Sequence, residues 1–255
     1  MSFTLVIARR PQDIVDAQRV RCRVYRDEEG LLPASSCLDA REIDARDYNE
    51  DTVHLLIYEG DHPVGTVRLL PACIETLSRR QGRFGLDLES KYDLSALDSR
   101  GMVPAEVTRF CVLRRYRGTR VTETLFSGLR GESARRGITH WVAGANMATD
   151  FVEDANLACR VIEACHLVSE DVHADPLVAE PPITPRQRPF YTADERANQT
   201  SALAQLRLPG PLGLFANKMG ARYIGPPVYD AFFGVFALPL VADLARSPAP
   251  RLRTI

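Results

Sequence analysis

The spacing of apolar positions changes several times along the chain, and each change predicts an element. "FTLVIA" at residues 3–8 is a short apolar run that predicts a first strand. "PQDIVDAQRVRCRVYRDEEG" at 11–30 predicts the first helix, with Pro11 near its start and Gly30 past its end. After a polar connection, "TVHLLIYEGDHPVGTVRLL" at 52–70 reads as two neighbouring strands joined at Gly60 and Asp61. Residues 72–101 mix polar and apolar positions and predict short helical turns between loops. "VPAEVTRFCVL" at 103–113 predicts another strand. "RGTRVTETLFSGLRGESARRG" at 117–137 is the most helical run, since Val121, Leu125, Leu129 and Ala134 give it an apolar face. "ITHWVAGAN" returns as a strand and "DANLACRVIEAC" as a helix. Strand, helix, strand in this order implies a parallel pair with a crossover, hence an α/β class with a mixed sheet.

Past residue 175 the pattern breaks up. Pro176, Pro181, Pro182, Pro185 and Pro189 argue against a central strand there, though not against an ordered loop. "YDAFFGVFALPLVADLA" at 229–245 contains Asp230, Gly234, Pro239 and Asp243, so it reads as a buried strand and its flanks. With no repeat and no strong linker, the expectation is one domain over 1–246, including an irregular segment 175–210, and a flexible tail 247–255.

Composition narrows the class. A chain of 255 residues with 45% hydrophobic and 25% charged residues can bury a core without a disulfide scaffold. Its six cysteines are scattered, with no CxxC pair and no His/Cys spacing of a zinc site, so the expectation is reduced, mostly structural thiols and no metal. Arginines follow the first apolar residues too soon for a secretory signal, and no apolar run approaches the roughly 20 residues that cross a bilayer. The expected location is cytoplasmic, with peripheral contact at a membrane surface if apolar substrates draw the protein there. A net charge of -1 offers no general attraction to nucleic acid. Arg114 to Arg136, however, holds seven arginines against Glu123 and Glu132, so an anionic partner should meet this region.

Chemistry concentrates in "AEVTRFCVLRRYRGTR" at 105–120. Strand alternation puts Glu106 and Thr108 on one face and Val107 and Arg109 on the other. Glu106 and Arg109 then serve one pocket only if the strand bulges or twists, and a solvated edge strand is the alternative. Further on, a strand running into a helix start exposes backbone N–H groups that hold anions. Gly118 permits close approach, and Arg115, Arg117 and Arg120 add charge-assisted bonds to a phosphate, or else form a solvated basic turn. The acids Glu42, Asp44, Asp47, Glu50 and Asp51 are either a hydrated loop or, buried near a pocket, a site for an amine. In the first helix Arg21, Tyr25 and Glu28 share a face that Arg23 cannot join. Arg68 ends a strand pattern, and His54 falls near the strand end opposite it. No G-x-S-x-G elbow is present.

Several ordered pieces together carry a resemblance: "RVRCRVYRDEEG", "REIDARDYNEDTVHLLI", "VGTVRLLP", "YDLSAL", "AEVTRFCVLRRYRG" and "MGARYIGPPVYDAFFGVFALPL". They resemble GNAT-type N-acyltransferases that use long acyl thioesters, nearest to ornithine-acyl-carrier-protein N-acyltransferases and N-acyl amino acid synthases, and more distantly to acyl-homoserine lactone synthases. The tryptophan expected after the first-helix aromatic in lactone synthases has no equivalent between Gly30 and Asp39, which ranks lactone formation second.

The resemblance implies a GNAT-like mixed twisted sheet flanked by helices, with a proline-rich C-terminal elaboration. It implies transfer of a fatty acyl group from the phosphopantetheine of acyl carrier protein, or from coenzyme A, to a small-molecule amine, with no tightly bound cofactor. Glu106 becomes the base or water-positioning group, and a backbone N–H at Cys111 or Val112 the donor to the thioester oxygen. Arg114, Arg115, Arg117, Gly118 and Arg120 receive the pantetheine phosphate and the carrier protein. Arg21, Tyr25, Glu42, Asp44, Asp47, Arg68 and Arg109 line the substrate site, and Leu125, Phe126 and Leu129 are candidates to bury the acyl tail. A module that only recruits carrier protein is the non-enzymatic alternative.

Overall fold

The computed structural model describes residues 2–72, 83–177, 188–197 and 203–246. Cys73, Pro181, Pro182, Pro185 and the predicted tail lie outside the described residues. The chain divides into two compact units, Met1–Cys73 with Ala105–Ile138, and Ile74–Pro104 with Thr139–Ile255.

The first unit is an antiparallel meander of β1 (Phe3–Ile7), β2 (Val53–Glu59), β3 (His62–Pro71) and β4 (Pro104–Val112). Leu5 pairs with Ile57, His54 with Arg68, and Arg68 with Thr108. Two helices flank it, α1 (Pro11–Cys22) and α2 (Arg120–Arg135). Leu55, Leu56 and Ile57 are all fully buried, because a helix on each face leaves no solvated side for β2 to alternate towards. On the α2 face a Cβ at Gly128 would come within 2.6 Å of a Leu55 methyl, so glycine lets the helix approach without displacing that side chain. Phe110 of β4 stacks on Phe126 of α2 at 4.8 Å between ring centres. Leu125, Phe126 and Leu129 are buried in this core.

The α1 start follows the sequence signals. The Asp13 carboxylate accepts from Arg9 N and Arg10 N and pairs with Arg10, which holds it near a pKa of about 2. Its end departs from them. Residues Arg23–Glu28 form a π-helical turn in place of the predicted α-helix, with Glu29 N donating to Val24 O at 2.9 Å. One extra residue per turn rotates everything after Arg23 relative to α1.

The second unit centres on β8 (Val235–Asp243), antiparallel to β5 (His140–Asn146), β6 (Arg222–Tyr223) and β7 (Val228–Asp230). Its longer helices are α3 (Val152–Ala164) and α4 (Gly210–Met219). No pattern predicts α4, although Pro211 in its first turn and Gly220 at φ 66° after its last are ordinary helix punctuation. Pro239 sits inside β8 opposite Gly144, and its carbonyl still accepts from Ile224 N at 3.1 Å. The irregular segment is ordered where described. Asp154 of α3 is fully buried and takes Phe190 N, Tyr191 N and the Arg196 guanidinium.

Candidate functional site

A bulge in β4 builds the site. Between the pairs Arg68–Thr108 and Thr66–Cys111, β3 advances two residues and β4 three, so the β4 chain carries one residue extra. Arg109 takes up the difference at φ 55°, a left-handed conformation that a residue with a Cβ adopts only at a cost. Before the bulge Thr108 faces α1; after it Phe110 faces α2. Thr108 and Arg109 therefore lie on the same face, and Glu106, two residues before Thr108, shares it. The bulge thus removes the parity conflict in the sequence by placing Glu106, Thr108 and Arg109 on one face of β4.

On that face three guanidiniums meet three carboxylates of the loop after α1. Asp47 is fully enclosed, with five donors converging on it. Arg21 reaches it through Nη1 at 2.8 Å and Nη2 at 2.6 Å, and Arg68 Nη1 at 2.9 Å. Gln18 Nε2 follows at 3.0 Å and the Asp44 amide at 3.2 Å. A carboxylate has about four lone-pair directions, so this one is saturated. Arg21 also gives Nη2 to Glu42 O at 2.6 Å, and its Nε lies 2.6 Å from Glu42 Oε2 as an ion pair without hydrogen-bond alignment.

Arg68 and Arg109 converge on Asp44 Oδ2 at 3.0 and 2.9 Å, and Arg109 Nε also reaches the Glu42 carboxylate at 3.3 Å. Arg68 Nε donates to Thr108 Oγ1 at 3.0 Å. Asp44 and Arg109 keep 19% and 16% of their side chains exposed, which makes them the solvent-facing edge of an otherwise buried cluster.

The electrostatics follow from this packing. Burial would raise the Asp44 and Asp47 carboxyls, but the arginines outweigh it and hold both below the ordinary carboxylate range. Each is therefore charged at neutral pH and a weaker base than an ordinary carboxylate. His54 is pushed the other way: burial lowers it to about 4, so the imidazole beside Asp47 O at 3.1 Å is neutral.

Tyr25 projects from the π turn, and its hydroxyl end is buried against the Cys111 thiol; desolvation raises the tyrosine and lifts Cys111 to about 12. A thiol so placed is no nucleophile. Glu106 is 4% exposed, opposite Leu70 on β3. Val112 ends β4 opposite Gly65, and its carbonyl accepts from Arg117 Nε at 3.1 Å.

The arginine turn is a separate construction. Arg114 N donates to Glu28 Oε2 at 2.8 Å, and the Arg114 guanidinium meets Glu28 O. Arg117 pairs with Glu29 at 2.6 Å and Glu28 at 3.2 Å. These two hold the π turn against the end of β4, a role that the sequence did not disclose. Arg115 lies over the Tyr116 ring at 4.8 Å, while Arg115 and Arg120 are exposed. Gly118 turns at φ 75° into Thr119, whose hydroxyl caps α2 by accepting from Val121 N at 3.3 Å. Arg135 and Arg136 sit at the other end of α2, about 24 Å away at 1.5 Å per residue, and pair with Glu132. The seven arginines are thus two groups and not a single face.

Predicted residues Arg21, Glu42, Asp44, Asp47, Arg68 and Arg109 form one bonded network, with Tyr25, Glu106 and Cys111 on the same face. Gln18, His54 and Thr108 complete it; of these, only the His54–Arg68 pairing was foreshadowed by strand register. An open cleft of about 500 Å³ lies elsewhere, between the β1 end and the α2 C-terminus, and none of these residues lines it. Among the described residues, no group of three His, Cys, Asp or Glu could hold a metal ion, and no helix is long and apolar enough to cross a membrane.

Residues 20–127 match the acetyltransferase (GNAT) domain. The chain is 37% identical over 132 residues, 48% of its length, to an L-ornithine N(alpha)-acyltransferase of Agrobacterium fabrum (strain C58), and the match spans only 43% of that relative. Its fold is similar to that of FeeM, an N-acyl amino acid synthase from uncultured soil microbes, with a TM-score of 0.54 at 12% identity, covering 96% of this chain and 92% of FeeM. BjaI, a CoA-dependent acyl-homoserine lactone synthase, matches at a TM-score of 0.49 and 15% identity, over 96% of this chain and 85% of that one.

Proposed function

We propose that this GNAT-domain chain transfers a long-chain fatty acyl group from the thioester of acyl carrier protein to the amine of an amino acid or related small metabolite. The observation that carries the reading is the 37% identity to an enzyme named for N-acylation of L-ornithine. The bulged face of β4 supports it by supplying the groups the chemistry needs.

An amine with a pKa of about 8 to 10 is protonated at neutral pH and attacks a carbonyl only after losing that proton. Glu106 is the assigned acceptor, directly or through one water. The neutral lone pair then attacks the thioester carbon, a tetrahedral oxyanion forms, the C–S bond breaks, and the thiolate leaves with a proton. Backbone N–H groups at Cys111 or Val112 are the assigned oxyanion donors, each worth roughly 3 kcal/mol.

The arginine–carboxylate cluster supplies no proton. It fixes the backbone around Glu106 and presents Asp44 and Arg109 to the zwitterionic end of an amino acid, so the acceptor is oriented before reaction. At the other end of β4 Gly118 permits close approach to the start of α2, and Arg115 and Arg120 stand outside the Glu28–Glu29 clamp to meet the pantetheine phosphate.

The test offers purified protein long-chain acyl carrier protein and acyl coenzyme A in parallel, each with a panel of amino acids including ornithine, and weighs the products. An N-acyl amino acid formed with the carrier-protein donor is expected. Product with coenzyme A alone replaces the donor, and no N-acyl product from either donor overturns the reading.

A further inference from the structure

The loop after the π turn runs back along α1, and its fastenings climb the helix in order. Leu31 N donates to Tyr25 O at 2.7 Å, and Glu42 N donates to Gln18 O at 3.1 Å. Between these two fastenings Cys22 of α1 lies beside Cys37 of the loop, near enough for the two side chains to interact. Both are free thiols. Cys22 is 1% exposed, whereas Cys37 is half-exposed after the turn Ala34–Ser36. Arg26, one turn beyond Cys22, lies close enough for its positive charge to act on both.

We propose that Cys22 and Cys37 form a dithiol modification site, which a small-molecule disulfide such as oxidised glutathione closes into an intramolecular bond that clamps the acid loop to α1. Cys37 is the entry point because it alone of the two is accessible. Its thiolate attacks one sulfur of the oxidant, forming a mixed disulfide and releasing one thiolate that takes up the Cys37 proton. Cys22 then gives up its own proton and attacks the Cys37 sulfur, releasing the second thiol. Two protein thiols and one disulfide thus yield one protein disulfide and two small thiols.

Burial pushes the Cys22 thiol up to about 12, which makes it a poor first attacker but still a resolving thiol once Cys37 is activated at contact distance. The closed ring of about 15 residues is long enough for the bond to restrict the unfolded chain. Glu42, five residues beyond Cys37, pairs with both Arg21 and Arg109, so fixing the chain at Cys37 acts on the start of the acid cluster. The inference does not depend on the acyl-transfer reading.

The full chain is incubated natively with oxidised glutathione, alkylated, digested and mapped by mass, while its melting midpoint and the hydrogen exchange of residues 37–48 are followed. Expected are an intact mass lower by two hydrogens, a peptide linking Cys22 to Cys37, a higher melting midpoint and at least several-fold slower exchange in that segment. In Cys37→Ser the linkage and the shift are lost; in Cys22→Ala, Cys37 keeps the glutathione. Wild-type protein that retains glutathione on Cys37, alkylates fully at both positions, or loses the same two hydrogens in Cys37→Ser overturns the proposal. Because Cys37 is half-exposed, the serine variant remains informative even if Cys22→Ala fails to fold.

Discussion

Arg21 and Arg117 carry the same guanidinium and each meets two carboxylates, yet Arg21 is 1% exposed and Arg117 41%. Arg21 has been taken out of water, and only the near-complete satisfaction of its partners offsets that desolvation. Arg117 exchanges water for Glu28 and Glu29 at little net gain. The first arrangement specifies one geometry and punishes any missing member. The second steers and tethers, and tolerates change.

The largest expected effect is therefore in the cluster. Asp47→Ala strands Arg21 and Arg68 beside each other and should cost about 3–5 kcal/mol in chemical denaturation, with Asp47→Asn milder because it keeps acceptors. Next is a pH effect at the same place. The folded chain leaves His54 neutral down to about 4, while the unfolded chain protonates it near 6.5. In that window the unfolded state binds the extra proton, so stability rises with pH from about 4 to about 6.5 and is lost as pH falls through it. The contribution is on the order of 3 kcal/mol, and His54→Gln should flatten that part of the stability–pH curve. Below it, protonation of Asp44 and Asp47 destabilises in the same sense, since their folded carboxyls lie below the usual range.

The exposed turn should give smaller numbers. Arg115→Ala with Arg120→Ala is expected to raise KM for the acyl donor about tenfold, with kcat held and the loss shrinking in high salt. Arg117→Ala should change stability by less than about 1 kcal/mol. A cost near that of Asp47→Ala would erase the distinction between the two regions.

The contrast also marks what the sequence can disclose. β2 and β3 follow from apolar runs joined at Gly60, and α2 from the spacing of Val121, Leu125 and Leu129, because burial of one helix face imposes a period. The single residue added at Arg109 leaves no such mark. Its left-handed backbone is sustained by Glu42 and Asp44, which are 67 and 65 residues away. Likewise Glu28 and Glu29 read as an ordinary charged helix end, and only the fold reveals them holding Arg114 and Arg117. The acids at 42, 44 and 47 were legible as a candidate site, but a hydrated loop and a buried one share the same composition. The π turn was invisible for a related reason: "RVYRDE" has no residue that forbids an α-helix, and the extra residue is imposed by tertiary contacts.

Glu106, on the bulged face of β4, is the group proposed to receive the amine's proton. Single-turnover acyl transfer by wild type and Glu106→Gln, at saturating donor and amine, tests it most directly. A fall of about 10²–10⁴-fold in the variant, with its denaturation midpoint near that of wild type, is the predicted result. Equal rates in the two proteins would contradict it.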